Sequence, residues 1–373
     1  FIRMNEEKID ENQKAHFLST TANRWLGLRL EFVGTTVVFG AALFAVVSRN
    51  SLAAGLVGLS ITYALQLTSQ LNWMVRMSTD VENELVAVER CIQYASLTPE
   101  APLIVDPRPA PTWPLNGAIT FQNLSLRYRE GLPLVLRGIS CKIKAREKIG
   151  VVGRTGAGKS SLMNALFRIT EAAGGSILID DLNIAGIGLE DLRSRLAIIP
   201  QDPTLFAGTV RSNLDPFGTY GDDSLWHALT AVYLREQVEG MPKGLDAPIT
   251  EFGENLSVGS RQLMCLARAV LRNPRILVMD EATASIDYKS DEKIQKTIRE
   301  QFQNATVLTI AHRIATIADS DRVMVLDFGK LVEFDSPANL LKNPHSIYSH
   351  LAKKSQKAAA KEATKAAPSE QPS

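Results

Sequence analysis

Cysteine is scarce in this chain, and neither sign of charge prevails. The three cysteines, Cys91, Cys141 and Cys265, lie far apart and fit neither a metal-ligand spacing nor a disulfide framework, which suits a reducing compartment. They are expected to be buried or inert thiols. Lys and Arg number 41 against 40 Asp and Glu, a formal net charge of +1. No broad basic field is present to draw the chain onto nucleic acid, so no nucleic-acid partner is expected. The sequence opens without an initiating methionine, and no signal or transit segment is claimed from it. Polar, helix-like sequence follows Phe1 directly, and the chain reads as a fragment. A length of 373 residues still allows one large domain and a smaller one.

What the sequence does have is long uncharged stretches. Residues 32–48 hold no Asp, Glu, Lys or Arg and are largely apolar (Phe32, Val33, Val37, Val38, Phe39, Leu43, Phe44, Val46, Val47), just long enough to cross a bilayer core. A second uncharged run, 51–75, starts apolar (Leu52, Leu56, Val57, Leu59, Ile61, Leu65) and then turns to Gln66, Gln70 and Asn72. Separated only by Arg49 and Asn50, the two runs predict a hairpin of transmembrane helices at about 32–48 and 51–72. A pair of buried core helices is the rival reading. The amides fit a helix leaving the membrane better than a substrate pathway. A hairpin brings both its ends out on one side, and Arg24, Arg29 and Arg76 beside it agree with that side being cytosolic.

Beyond the hairpin Val81, Leu85, Val88 and Ile92 recur at helical spacing among Glu82, Glu84, Glu89 and Arg90, the pattern of an amphipathic stalk. Residues 1–95 are thus expected to be part of a membrane domain. Pro99, Pro102, Pro107, Pro109, Pro111 and Pro114 end the helix and predict an extended linker over 96–114. Residues 355–373, rich in Lys, Ala, Ser and Pro, have nothing to bury and are expected to be a disordered tail.

Between these, over 115–354, short β-rich runs at 118–121, 149–152, 276–279, 306–310 and 323–326 alternate with helical patterns. That alternation predicts an α/β domain with a largely parallel sheet covered on both faces. After the run Ile149-Gly150-Val151-Val152 comes Gly153-Arg154-Thr155-Gly156-Ala157-Gly158-Lys159-Ser160, followed by helical Ser161-Leu162-Met163. This is the full phosphate-loop pattern in its required strand-loop-helix setting. Its glycines let backbone N–H groups turn toward phosphates, Lys159 reaches the terminal phosphates of ATP, and the Ser160 hydroxyl suits Mg²⁺. The strand Ile276-Leu277-Val278-Met279 delivers Asp280 and Glu281 at its C-terminal end, where parallel sheets bind ligands. Asp280 is expected to hold the Mg²⁺ shell and Glu281 to polarise the attacking water. Asp327-Phe328-Gly329 lies between two β runs with no kinase catalytic loop elsewhere, and is read as a hairpin turn.

Leu256-Ser257-Val258-Gly259-Ser260-Arg261-Gln262 resembles the signature motif of ATP-binding cassette (ABC) proteins. The resemblance implies a P-loop NTPase with a RecA-like core, an antiparallel β subdomain and an α-helical signature subdomain, preceded by the transmembrane hairpin. It also implies roles for further residues. Gln201 in Ile199-Pro200-Gln201-Asp202 matches the Q-loop, a Mg²⁺ contact that relays nucleotide state. Asp287 in Ser285-Ile286-Asp287 matches the D-loop, His312 the switch histidine at the γ-phosphate, and Tyr128 the aromatic that stacks on adenine. Gly153, Thr155, Gly156, Gly158, Lys159, Ser160 and Ser161 would bind nucleotide, while Ser257, Gly259 and Ser260 carry the signature.

Tyr128-Arg129-Glu130-Gly131-Leu132-Pro133, Leu205-Phe206-Ala207-Gly208-Thr209-Val210-Arg211-Ser212-Asn213-Leu214-Asp215-Pro216 and Asn23-Arg24-Trp25-Leu26 are similar to the second nucleotide-binding domain of subfamily C, the multidrug resistance-associated branch, and to the membrane helices before it. This implies the C-terminal part of an ATP-driven exporter of organic anions, conjugates or drugs. Residues 1–31 would extend the fifth helix of the second membrane domain into the cytosol. The partners implied are a first nucleotide-binding domain, a first membrane domain, the lipid bilayer and a small-molecule transport substrate, in a multi-pass protein of the plasma or vacuolar membrane. Val258 and Ser260 depart from the usual glycine and glutamine of the signature, so weaker hydrolysis is expected where this signature serves. A nucleotide-gated or channel-regulating member of the same branch is the alternative function, and a soluble cassette ATPase the more distant one.

Overall fold

The computed structural model describes residues 2–51, 53–280, 288–311 and 314–354, and its contacts divide the chain into two units, Phe1–Glu100 and Ala101–Ser373. The first unit is two helices, α1 (Ile2–Val47) and α2 (Ala54–Ala95). No proline precedes Pro99, so nothing interrupts either hydrogen-bond ladder. Hydroxyls within the apolar runs bond back to their own helix: Thr35 to the Glu31 carbonyl, Thr36 to that of Phe32 and Thr62 to that of Gly58, each at 2.9 Å. Such internal satisfaction is what a lipid surround requires. Gly34 and Ala64 are buried, small residues that let helix backbones approach. Among the described residues α1 is the helix long and apolar enough to cross a membrane. The second expected span does not reach the same measure, because Gln66, Ser69 and Gln70 dilute its apolar start. The amphipathic pattern beyond residue 75 continues the same helix without a break.

The second unit opens with β1 (Ile119–Leu126), β2 (Leu136–Ile143), β3 (Lys148–Gly153) and α3 (Lys159–Leu166). There follow β4 (Gly174–Ile179), β5 (Leu182–Asn183), α4 (Leu189–Arg195) and β6 (Leu196–Ile199). The short strands β7 (Gly208–Thr209) and β8 (Pro248–Ile249) bracket α5 (Val210–Leu214), α6 (Asp222–Ala231) and α7 (Arg235–Glu239). Then come α8 (Val258–Arg272), β9 (Ile276–Asp280), α9 (Tyr288–Gln301), β10 (Thr306–Ile310), β11 (Arg322–Asp327), β12 (Lys330–Asp335) and α10 (Pro337–Lys342).

Six strands form the central sheet in the order β12-β11-β3-β10-β9-β6. All neighbours in it are parallel except β11 and β12. The central strands are continuous apolar runs because both faces are covered, and every residue of β9 is buried. A second, antiparallel sheet has the order β2-β1-β4-β5. The run at 118–121, read from sequence as one of the parallel-sheet strands, belongs to it: β1 pairs antiparallel with β2 on one side and β4 on the other. Alternation of strands and helices carries no mark of sheet membership, which explains the difference. The hairpin turn at Asp327-Phe328-Gly329 is present, with Phe328 at φ 44 and Gly329 at φ 78, the left-handed pair that matches strand twist.

Helix α3 sits in the core that joins the two sheets. Its Leu162, Ala165 and Leu166 share one buried cluster with Phe121, Leu124 and Leu126 of β1, Leu136 and Ile139 of β2, and Val151 of β3. Each large side chain so buried stabilises by about 1.5–3 kcal/mol relative to exposure, so the helix that follows the phosphate loop is held firmly. The proline-rich segment also joins this unit from Ala101 onward. Trp113 is buried and donates its indole N–H to the Ile179 carbonyl at 3.1 Å. The Leu189 and Glu190 amides donate to the carbonyls of Pro102 and Leu103, and Arg108 forks onto Asp191. The thiols differ in setting: Cys265 is buried, Cys91 is exposed on α2, and burial pushes the Cys141 thiol up to about 12.

The turn into β3 is clamped to β11. Glu147 accepts from Arg322 and from the Lys144 amide, and the Arg322 guanidinium lies 4.0 Å over the Phe334 ring. Burial alone would push the Glu147 carboxyl up from its ordinary 4.5. The Arg322 guanidinium and the Lys144 amide outweigh burial and hold it lower. A depressed carboxyl contributes stability that is present above its unfolded value and lost as pH falls through the folded one. Glu147→Ala is expected to cost about 2–3 kcal/mol at neutral pH, because Arg322 loses its buried partner. The deficit should shrink as pH drops below about 4.5. Urea unfolding of both proteins across that range checks it, and a deficit independent of pH would contradict the charge assignment.

Candidate nucleotide site

Strand register brings the candidate residues to one edge. Ile199 of β6 pairs with Met279 of β9, Met279 with Thr309 of β10, and Thr309 with Gly150 of β3. Because these four strands run in parallel, whatever follows each one emerges on the same side of the sheet. The phosphate loop follows β3, Asp280 ends β9, Gln201 lies two residues past β6, and His312 lies two residues past Ile310 in the chain. His312 itself, with Glu281 and Asp287, lies outside the described residues.

The loop 153–158 is shaped by what its glycines lack. Gly156 (φ 80) and Gly158 (φ 100) have left-handed backbone that L side chains rarely adopt. A Cβ on Gly153 would stand 2.3 Å from the Leu326 carbonyl oxygen, and one on Gly158 2.7 Å from the Leu136 side chain. At Gly156 the same position meets only open space, so there the demand is on the backbone alone. Gly158 caps the N-terminus of α3, and Lys159, Ser160 and Ser161 form its first turn. Free N–H groups and the helix dipole at such an end favour an anion. Lys159 is buried, and its ammonium reaches back over the loop to the carbonyls of Gly153 (3.0 Å) and Arg154 (3.3 Å). Thr155, Gly156 and Ser160 remain exposed at the mouth.

Tyr128, just past β1, comes to the same place. Its hydroxyl shares a hydrogen bond of 2.8 Å with the Ser161 hydroxyl and accepts a longer one, 3.5 Å, from Asn164. The ring is about half exposed. Asp280 is buried at the end of β9. The Ser160 hydroxyl, the Gln201 carboxamide and the Asp280 carboxylate are hard oxygen donors of the kind a magnesium ion takes. No cluster of three His, Cys, Asp or Glu occurs among the described residues.

The signature lies in the helical part of the unit. Ser257 caps α8 by accepting from the Ser260 amide at 3.0 Å. Ser260, where the family pattern has glutamine, is buried and bonds both Ser257 (2.9 Å) and the Gln237 carboxamide (3.0 Å). Ser257 and Val258 are exposed while Gly259 is buried. These bonds stay within the helical part, so the chain's own signature is not hydrogen-bonded to its own phosphate loop through them. Sequence reading overlooked one link. Gln262, 2% exposed, donates to the carbonyls of Gln201 (2.8 Å) and Pro200 (3.3 Å), joining the signature helix to the Q-loop backbone. Its signal was an amide set in the otherwise apolar face of α8.

Comparison with known proteins bears on this arrangement. Residues 136–284 match the family model described as ABC transporter. The chain is 55% identical over 348 residues to ATP-binding cassette sub-family C member 2 of Rattus norvegicus, covering 93% of this chain and 23% of that protein. It is 57% identical over 342 residues to sub-family C member 3 of Homo sapiens, covering 91% and 22%. A bacterial Atm1-family ABC exporter solved with ATP bound superposes with a TM-score of 0.66 at 29% identity, covering 89% of this chain and 58% of that one. Fold and site therefore define an ABC-type, ATP-binding P-loop ATPase domain. Over nearly its whole length the chain is similar to ABC transporters of subfamily C, and it spans about a fifth of the length of the curated relatives it matches.

Replacing Gln262 by Leu keeps the volume and removes both donors to the Q-loop backbone. An expected loss of about 1–2 kcal/mol would appear as a lower urea midpoint with an unchanged slope. A midpoint equal to that of the unaltered protein would show that the loop is held by other contacts.

Proposed function

We propose that this chain binds Mg·ATP at the 153–161 cradle and hydrolyses it as one of two cassettes that drive an exporter. The supporting observation is the convergence, at one sheet edge, of the phosphate loop, Tyr128, Gln201 and Asp280. Backbone N–H groups of the loop and the start of α3 receive the phosphates, and Lys159 moves its ammonium from loop carbonyls onto the terminal ones. Tyr128 offers its ring to the adenine. Magnesium, held by Ser160, Gln201 and Asp280, would offset charge on the phosphate oxygens. Glu281, one residue past Asp280, takes the proton of the attacking water, and His312 steadies the γ-phosphate.

The signature Ser257, Gly259 and Ser260 would then serve a nucleotide held by another cassette, with Asp287 between the two sites. That fits an exposed Ser257 whose cap partner Ser260 bonds to Gln237 within the helical part. It also fits relatives several times longer than this chain. In this reading the first nucleotide-binding domain and first membrane domain of the whole protein complete the machine. α1 and α2 contribute two spans of a multi-pass membrane domain, with the ATPase domain in the cytosol. The cargo is amphipathic organic anions, conjugates or drugs, moved outward across a plasma or vacuolar membrane.

In the whole protein, Lys159→Ala should abolish ATP retention. Glu281→Gln should leave binding intact and lower turnover by about 100-fold or more, the range of a lost general base. Equilibrium nucleotide binding and phosphate release separate the two effects. Normal turnover in Glu281→Gln would remove that residue from the mechanism.

A further inference from the structure

The turn at Asp327-Phe328-Gly329 has so far carried no chemistry, yet its backbone lies between two parts of the nucleotide site. The Gly329 N–H donates to the Ala157 carbonyl inside the phosphate loop at 3.1 Å, and the Gly329 carbonyl accepts from the Arg137 N–H at 2.8 Å. One peptide turn thus bridges the loop and the start of β2. The fit is close. A Cβ on Gly329 would lie 1.9 Å from the Val135 carbonyl oxygen, a separation no side chain tolerates, and φ there is 78°. Immediately upstream, the Leu326 carbonyl closes against Gly153.

The β2 end of this bridge leads to Tyr128. The Val135 N–H donates to the Leu126 carbonyl at 2.8 Å, Leu136 pairs with Leu126, and Tyr128 follows two residues later. Leu136 is fully buried and its side chain abuts Gly158. On its other flank Tyr128 touches Ser161 through the shared hydrogen bond. The phosphate loop and the Tyr128 strand end are therefore held at a fixed separation, with the Gly329 turn as the spacer.

We propose that Gly329 is a positioning residue that sets the distance between the phosphate loop and Tyr128, and so makes the site selective for ligands carrying both a triphosphate and a base. The inference rests on the nucleotide reading given above. A phosphate chain alone needs only the loop and the start of α3. A nucleotide must satisfy the loop and Tyr128 together, so a shift of the spacer penalises it and spares the bare phosphate chain.

The test compares Mg·ATP with Mg·tripolyphosphate on the full-length protein by calorimetric titration. Gly329→Ala should weaken ATP about 10-fold or more while tripolyphosphate changes by less than about 2-fold. Parallel losses, or no loss, in a folded variant would overturn the proposal. A second measurement needs no variant: hydrogen exchange at the Arg137 and Gly329 amides of the unaltered protein. A ligand that spans both elements suppresses opening of the bridge more than one that touches the loop alone. ATP should therefore slow both amides more than tripolyphosphate does at equal saturation, and equal slowing would overturn the spacer role. Failure of the unaltered protein to bind either ligand would instead overturn the nucleotide reading, and this inference with it.

Discussion

Parallel strands that run in register must end together, and most of what this ATPase domain does follows from that constraint. β3, β10, β9 and β6 pair row by row, so segments distant in the chain emerge side by side without any long side chain having to reach. The register is secured by apolar burial on both faces of the sheet, which is why β9 can present Asp280 at its end while every residue of the strand is buried. The site therefore inherits its geometry from the core.

Around that edge, close backbone approach does more than side-chain chemistry. Gly153, Gly158 and Gly329 each stand where a Cβ would strike a neighbouring carbonyl or a packed leucine. Their contacts draw the phosphate loop, the β11–β12 turn and the start of β2 into one rigid block. The Glu147–Arg322 clamp ties that block to the far end of β3. The Q-loop is held differently, through the carboxamide of Gln262 on the signature helix. A shift of α8 would pull directly on the Q-loop backbone, a mechanical route between the signature and the sheet edge.

Features whose chemistry is contiguous were legible in the sequence. The phosphate loop needs its glycines, lysine and serine in one run, and the run from Gly153 to Ser161 displays it. The apolar strands before it and before Asp280 were legible for the same reason. Features that depend on contacts far apart in the chain were not. Nothing local to Gly329 shows that it meets Ala157 and Val135, and nothing local to Gln262 shows that it meets Gln201. Residues 118–121 looked like any other strand, since only their partners put them in the antiparallel sheet. The prolines around Trp113 announced an extended path but not its docking, although a tryptophan among prolines hints at a buried anchor. The second apolar run was read as a span on the absence of charge, whereas its amides lower its apolar content below that of α1.

The central claim is that a nucleotide triphosphate lies across the sheet edge between Lys159, Ser160 and Asp280. A cryo-electron microscopy map of the full-length protein in Mg·ATP, with hydrolysis slowed, tests it most directly. The account predicts phosphate density against the first turn of α3, metal density beside Ser160 and Asp280, and adenine density over the Tyr128 ring. Nucleotide density elsewhere on the domain, with the 153–161 cradle closed, would contradict it.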